Sequence, residues 1–248
     1  MMQYVQAAET VSVSARVGVT QSFLLVEQDN AVASLLLFPG GDGLMKLKPD
    51  GRFLGKKTNF LVRSRQKFKA AGFHVAIADA PSDRQEDDGM FYGFRTTIAH
   101  AEDIQAMVDD LRKRFNKPVW LVGTSRGTES VANAAIRQIK GIAGIVLTAS
   151  MSEENAKGDA LPELALDRIR LPVFIASHEE DKCWVTPASG IDHIRDGLRN
   201  ALVVESRLFT GGDEATGREC GGKSAHGFLG IEQQVVDAID NFVRQHSL

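Results

Sequence analysis

The chain has 248 residues, a formal net charge of −3 and a sequence pI of about 6.1. Hydrophobic residues make up 43% of the chain and charged residues 25%, which is typical of a globular protein with a substantial core. This balance does not indicate a nucleic-acid or anionic-membrane partner, and no apolar run reaches the roughly 18 residues that a transmembrane helix needs. Short basic stretches at 46–48, 56–57 and 112–114 are interpreted as solvent-exposed.

Short apolar runs alternate with segments of helical spacing, a pattern typical of an α/β fold. The elements predicted in chain order are strand 11–17, strand 22–26, strand 32–38, helix 59–71, strand 73–78, helix 97–115, strand 118–122, helix 127–139, strand 142–147, strand 173–176, helix 188–198, strand 201–204 and helix 231–244. The first two strands form an antiparallel hairpin, and the later strands are expected to run parallel. Because no linker or repeat interrupts this order, we predict one domain over residues 1–248, with ligands bound at the carboxyl ends of the strands.

The segment Gly123-Thr-Ser125-Arg-Gly127 lies between a predicted strand and a predicted helix. It matches the G-x-S-x-G pattern, in which a strained turn pushes a serine hydroxyl out of the sheet and flanking glycines allow close packing. We therefore predict that Ser125 is a nucleophile rather than a helix-capping serine. The same turn places the backbone N–H of Arg126 at a helix N-terminus, where it can stabilise an oxyanion.

A second oxyanion donor is expected from another loop. Residues 38–43, Phe-Pro-Gly-Gly-Asp-Gly, follow the third predicted strand, and glycine N–H groups there can turn toward a substrate. Considered alone, this loop is an ordinary glycine-rich turn. Considered together with the Ser125 motif, it predicts Gly41 or Gly40 as the donor.

A nucleophilic serine also needs a base and an acid. His226 lies in a polar loop before the last helix, whereas the other histidines lie in predicted helices, at strand ends or in the terminal tail, and are interpreted as structural. For the acid we select Asp181, in the loop after strand 173–176, and keep Glu180 and Glu153 as alternatives. The predicted chain order is then nucleophile, acid, base.

These three segments, in this order, resemble those of the α/β-hydrolase superfamily, and the resemblance covers essentially the whole chain. It implies a mostly parallel eight-stranded sheet with helices on both faces, and hydrolysis through an acyl-serine intermediate. Two departures are evident. Phe38-Pro39 stands where many lipases have His-Gly, and the short segment between residues 147 and 173 leaves little room for a cap domain.

If the triad is correct, the two cysteines of the chain lie on converging loops. Cys183 follows Asp181 by two residues and Cys220 precedes His226 by six, so a disulfide between them would tie the acid loop to the base loop. Such a bond suits an oxidising compartment. Together with residues 6–9, which match a remnant signal-cleavage site, it predicts a periplasmic or secreted protein, with the cytoplasm as the alternative.

The predicted function is hydrolysis of a carboxylic ester or a related acyl bond in a small substrate. A peptidase or thioesterase is the first alternative, and a non-catalytic binding module on the same fold is the second. No cofactor is expected, and the spacing of Cys and His predicts no metal site. The aromatic segment 90–94 either lines an acyl pocket or packs a long loop. The Arg126 side chain is interpreted as a surface helix charge, with contact to an acidic substrate group as the alternative.

Overall fold

The structure, a computed structural model, describes residues 8–247, so part of the candidate cleavage remnant at 6–9 lies outside the described residues. One eight-stranded sheet extends through the molecule in the order β1-β2-β4-β3-β5-β6-β7-β8. The strands are β1 Glu9–Arg16, β2 Val19–Val26, β3 Ala33–Phe38, β4 Phe73–Ala78, β5 Val119–Ser125, β6 Ile142–Ser150, β7 Pro172–His178 and β8 Val203–Phe209. The helices are α1 Phe60–Arg63, α2 Arg65–Ala70, α3 Ile98–Phe115, α4 Gly127–Ile136, α5 Gly190–Gly197 and α6 Glu232–His246.

The predicted N-terminal hairpin is confirmed. Strands β1 and β2 pair antiparallel, and β2 pairs antiparallel with β4. Every other pairing in the sheet is parallel, from β4 through β3 to β8. The carboxyl ends of these parallel strands therefore meet at one edge, which is where the α/β prediction puts a ligand site.

Two apolar clusters cover the two faces of the sheet. One packs helices α3, α4 and α5 on the sheet, and the other packs α1, α2 and α6 on the opposite face. The alternating side chains of the central strands divide between them: Leu36 of β3 belongs to the first cluster, and Leu35 and Leu37 belong to the second. This double coverage explains why the central strands are continuous apolar runs.

Two element predictions need correction. The predicted helix 59–71 is broken at Ser64, whose backbone angles (φ −86°, ψ 0°) depart from the regular helix. The break allows Phe60 and Phe68, one on each piece, to pack edge to face with their ring centroids 6.4 Å apart. The last strand runs over Val203–Phe209 rather than 201–204. It is an edge strand with mostly exposed side chains, so its sequence lacks the apolar run that marks a buried strand.

The segment between β6 and β7 contains two short 3-10 turns, Leu161–Glu163 and Leu166–Arg168. Among the described residues it includes no α-helix, in agreement with the expectation that no large cap covers the sheet edge. Across residues 8–247, no helix combines the length and apolarity required to cross a bilayer.

Candidate active site

Ser125 is the last residue of β5, and α4 begins two residues later. Its φ of +53° lies in the left-handed region, which non-glycine residues rarely adopt and which strand-to-helix elbows impose. A Cβ on Gly127 would overlap the carbonyl oxygen of Phe38, and one on Gly123 would come within 2.5 Å of the Gly127 carbonyl oxygen. The sharp turn therefore depends on both glycines, as the motif predicts.

His226 lies in the turn Ala225–Gly227, where its side chain is mostly buried. Its Nδ1 is 2.9 Å from Asp181 Oδ2, while Asp181 Oδ1 accepts a hydrogen bond from the Cys183 N–H at 2.9 Å. The Thr186 hydroxyl donates to Asp181 Oδ2 at 2.9 Å and its oxygen is 3.0 Å from His226 Nδ1. Because a carboxylate oxygen only accepts, Nδ1 holds the ring proton and Nε2 is left as the basic nitrogen.

Ser125 and His226 line the same cavity, of about 190 Å³, at the carboxyl edge of the sheet. Both belong to the described part of the chain, and no hydrogen bond joins their side chains there. The structure thus brings Asp181 into contact with His226 and puts Ser125 on the same cavity. The alternative acids Glu180 and Glu153 are exposed, and neither carboxylate forms a hydrogen bond or ion pair with His226.

The glycine-rich loop after β3 packs directly on this serine. A Cβ on Gly40 would lie 2.8 Å from the Cβ of Ser125, and Gly41 has a φ of +64°, a conformation that favours glycine. Within residues 8–247, the N–H groups of these two glycines donate no hydrogen bond. Neither N–H group is therefore committed to a partner within residues 8–247.

Arg95, which the sequence analysis did not single out, fixes this loop from its buried side. The guanidinium is fully buried and donates hydrogen bonds to the carbonyl oxygens of Pro39 at 3.0 Å and Gly41 at 3.1 Å, and to the Ser130 hydroxyl at 2.7 Å. Burial lowers the pKa of Arg95 to about 10, so the group stays protonated at neutral pH. We infer that Arg95 is a positioning residue for the loop.

Substituting Arg95 with leucine is therefore expected to lower kcat by up to about a hundredfold while changing KM little, because small displacements of the reacting groups cost that much. Arg95→Lys should recover part of the loss, because an ammonium keeps the charge and can donate to these carbonyls but lacks the second nitrogen that donates to the Ser130 hydroxyl. Steady-state kinetics on both variants, with the exposed Arg84→Met as control, measures this. A rise in KM at unchanged kcat would contradict it.

The remaining histidines lie away from the cavity. His100 is buried with its Nε2 2.9 Å from the Ser130 hydroxyl, and burial holds its pKa well below the ordinary value. His74 stacks on Phe115 at 3.6 Å, and burial lowers its pKa to about 4. These environments favour neutral, packed rings, in agreement with the structural roles predicted for them. The cavity is likewise not lined by His178, His193 or His246.

The predicted disulfide is present. Cys183 and Cys220 are bonded, with Cα atoms 4.5 Å apart, and join segments that are 37 residues apart in sequence. Cys183 donates its N–H to Asp181, and Cys220 lines the same cavity as Ser125. The bond therefore connects the segment of Asp181 to the segment that leads to His226.

Closing a loop of this length is expected to stabilise the folded state by about 4 kcal/mol. The double variant Cys183→Ala, Cys220→Ala should lose about that much free energy of unfolding, measured by urea denaturation without reductant. As a control, reductant should lower the stability of the original protein and leave that of the double variant unchanged. An equal response of both proteins would mean that the bond does not constrain the unfolded chain.

The Arg126 side chain is not a surface charge, contrary to the sequence-based interpretation. It is buried, forms an ion pair with Glu129 at 3.1 Å and a hydrogen bond with Asn155, and lies over the ring of Phe91 at 5.6 Å. The carboxyl group of Glu129 is buried as well, and this burial raises its pKa to about 7 despite the neighbouring arginines. These contacts hold the guanidinium in the protein interior rather than at the surface.

A carboxyl pKa that is higher in the folded than in the unfolded chain makes stability fall with rising pH. For Glu129 the fall should extend from about pH 4.5 to about 7 and reach about 3 kcal/mol. Glu129→Gln should therefore flatten the dependence of unfolding free energy on pH in this window. Urea denaturation at several pH values, with the exposed Glu163→Gln as control, tests this, and an unchanged slope would contradict it.

The structure also decides the roles of segment 90–94 and of Lys56. In segment 90–94, Met90 and Phe94 are buried against Leu44 and Ala80 and do not line the Ser125 cavity, so they pack the loop. Lys56, interpreted as solvent-exposed, lines that cavity and is ion-paired. The burial of Lys56 depends on the path of the loop between β3 and α1, which no local sequence pattern specifies.

No protein-family model matches the sequence, and no curated protein matches it significantly. Solved structures do match its fold. A cold-adapted esterase from an Arctic intertidal metagenomic library is 16% identical, with 97% of this chain and 96% of that chain covered and a TM-score of 0.66. Dienelactone hydrolase from Anabaena variabilis is 17% identical, with 98% and 99% covered and a TM-score of 0.63.

A thermostable carboxyl esterase from Bacillus coagulans is 12% identical, with 98% of this chain and all (100%) of that chain covered and a TM-score of 0.66. At these identities the likeness establishes the architecture alone. The chain has the α/β-hydrolase fold, as the resemblance in sequence predicts.

Proposed function

We propose that this protein is a serine hydrolase that cleaves small carboxylic esters, with Ser125 as nucleophile, His226 as general base and Asp181 as the acid that orients it. The observation that carries the proposal is the 2.9 Å contact between His226 Nδ1 and Asp181 Oδ2, behind a cavity that Ser125 also lines. The esterases and hydrolase of similar fold support the reaction class by analogy.

In the first half-reaction His226 Nε2 accepts the Ser125 proton as Oγ bonds to the carbonyl carbon of the ester. The carbonyl π electrons move to the oxygen, and the N–H groups of Arg126 and of Gly41 or Gly40 stabilise the resulting oxyanion. Asp181 stabilises the imidazolium that forms. The tetrahedral intermediate then collapses, the carbon–oxygen bond to the leaving group breaks, and His226 gives its proton to the alkoxide.

In the second half-reaction water replaces the departed alcohol. His226 Nε2 takes one proton from the water as its oxygen attacks the acyl carbon, and the same oxyanion donors act again. Collapse of this intermediate returns the proton to Ser125 Oγ and releases the carboxylic acid. The enzyme is regenerated without a cofactor.

The size of the cavity limits the substrate. Its volume of about 190 Å³ is below the roughly 300–1,000 Å³ of sites that enclose drug-sized ligands. We therefore expect short acyl groups, or the exposed end of a larger molecule, to react.

Labelling with a fluorophosphonate probe, combined with a substrate panel, tests the proposal. Hydrolysis of 4-nitrophenyl acetate and butyrate, faster than that of an acyl-coenzyme A thioester or a peptide amide, is the expected result. Faster thioester or amide cleavage would favour the thioesterase or peptidase alternative. Folded protein that neither reacts with the probe nor turns over any substrate would instead be a binding module.

The disulfide supports a periplasmic or secreted location, because such bonds persist in oxidising compartments. In cells of the natural host lysed with an alkylating reagent, Cys183 and Cys220 should remain unmodified until reductant is added. Immediate alkylation of both thiols would favour the cytoplasm.

A further inference from the structure

The cavity of Ser125 is bordered by positive charge. Lys56 and Arg218 line it, and no aspartate or glutamate of the described chain is among its lining residues. Lys56 lies directly on the oxyanion loop, since a Cβ on Gly41 would be 2.8 Å from its Nζ. A cation therefore sits beside the position that the reacting carbonyl would occupy.

The two cations are not neutralised equally. Lys56 Nζ is 2.7 Å from Asp42 Oδ1, a carboxylate oxygen that also accepts the Leu44 N–H at 2.8 Å. Arg218 has no ion-pair partner within residues 8–247. One positive charge at the cavity is thus left without a counter-charge, which matches a ligand with a single negative charge.

Arg218 is exposed, but its backbone is anchored. The Gly221 N–H donates to the Arg218 carbonyl oxygen at 2.8 Å, and Cys220, two residues away, is bonded to Cys183. This anchoring holds the Arg218 backbone at the edge of the cavity that the residue lines. Burial lowers the pKa of Lys56, and the nearby charges of Arg95 and Arg218 act in the same direction while Asp42 opposes them. Two like charges on the lining of one cavity favour an anion inside it.

We propose that the substrate of this site is an ester bearing a carboxylate group, which Arg218 and Lys56 bind while Ser125 attacks the ester carbonyl. This inference rests on the proposed function and specifies its substrate class. A planar guanidinium binds a carboxylate through two parallel N–H donors, and the ammonium of Lys56 retains N–H donors beyond the one given to Asp42.

Turnover of two matched esters provides the first test. The enzyme should hydrolyse 4-nitrophenyl hemisuccinate with a kcat/KM at least about tenfold above that for 4-nitrophenyl pentanoate, as expected for one added charge-assisted hydrogen bond. Arg218→Gln should lower this ratio by about tenfold, whereas the exposed Lys57→Met should not change it. Lys56→Met should lower the ratio too. If Arg218→Gln lowered kcat/KM equally for both esters, the result would overturn the proposal.

Binding to Ser125→Ala protein provides a second test that needs no hydrolysis. By calorimetry, monomethyl succinate should bind at least about tenfold more tightly than methyl pentanoate, and Arg218→Gln should remove the difference. Equal binding of the two ligands would overturn the proposal even if the enzyme is an active esterase. Preferential binding of the anion without any hydrolysis would uphold the anion site and contradict the proposed function.

Discussion

Replacing Ser125 with alanine is expected to lower kcat for ester hydrolysis by roughly a millionfold, because the acyl-serine intermediate can no longer form. The backbone N–H donors and the cavity remain, so a small residual rate above that of water is expected and KM should change little. Rates on 4-nitrophenyl butyrate, together with fluorophosphonate labelling, measure both effects. The variant should also lose all labelling.

Ser150 offers a matched control. It is a buried serine on β6, in register with Ser125 of the neighbouring strand, and its hydroxyl has no hydrogen-bond partner among the described residues. Ser150→Ala should retain both turnover and labelling. A probe adduct that persists in Ser125→Ala protein, or disappears in Ser150→Ala protein, would show that Ser125 is not the nucleophile.

The central strands of the sheet were predictable because they are buried on both faces. Residues such as Leu35, Leu36 and Leu37 leave no polar face, and this continuous run marks β3 from sequence alone. The carboxyl ends of the last four strands, β5 to β8, were placed too early, whereas those of β2, β3 and β4 were placed correctly. Thr148 continues β6 as a buried polar residue whose hydroxyl donates to the Gly123 carbonyl oxygen at 2.9 Å, a tertiary contact that hydropathy does not reveal.

The residues of the candidate site also fall into those that the sequence reveals and those that only tertiary contacts reveal. Ser125 was identifiable because a local motif coincides with a local change from strand to helix, and His226 because its loop position separates it from the other histidines. Arg95 and Thr186 carried no such signal. Both act through hydrogen bonds to segments remote in sequence, Arg95 to the loop after β3 and Thr186 to the ring of His226. Only the folded chain brings these partners together.

Replacing Asp181 with asparagine is expected to lower kcat by about ten-thousandfold while leaving the fold intact. The side-chain oxygen can still accept the Cys183 N–H, as Asp181 Oδ1 does at 2.9 Å. The new amide then faces His226 and donates to Nδ1 instead of accepting from it. The ring proton moves to Nε2, which can no longer accept the Ser125 proton.

Glu180→Gln is the matched control, because it makes the same chemical change on the adjacent, exposed side chain. It should leave kcat within about twofold, as surface substitutions away from a site usually do. Because Asp181→Asn retains the nucleophile and oxyanion donors, slow fluorophosphonate labelling should persist, which distinguishes it from Ser125→Ala. A loss of kcat in the Glu180 variant alone would assign the acid to Glu180. Comparable losses of kcat in both variants would assign the effect to the loop as a whole.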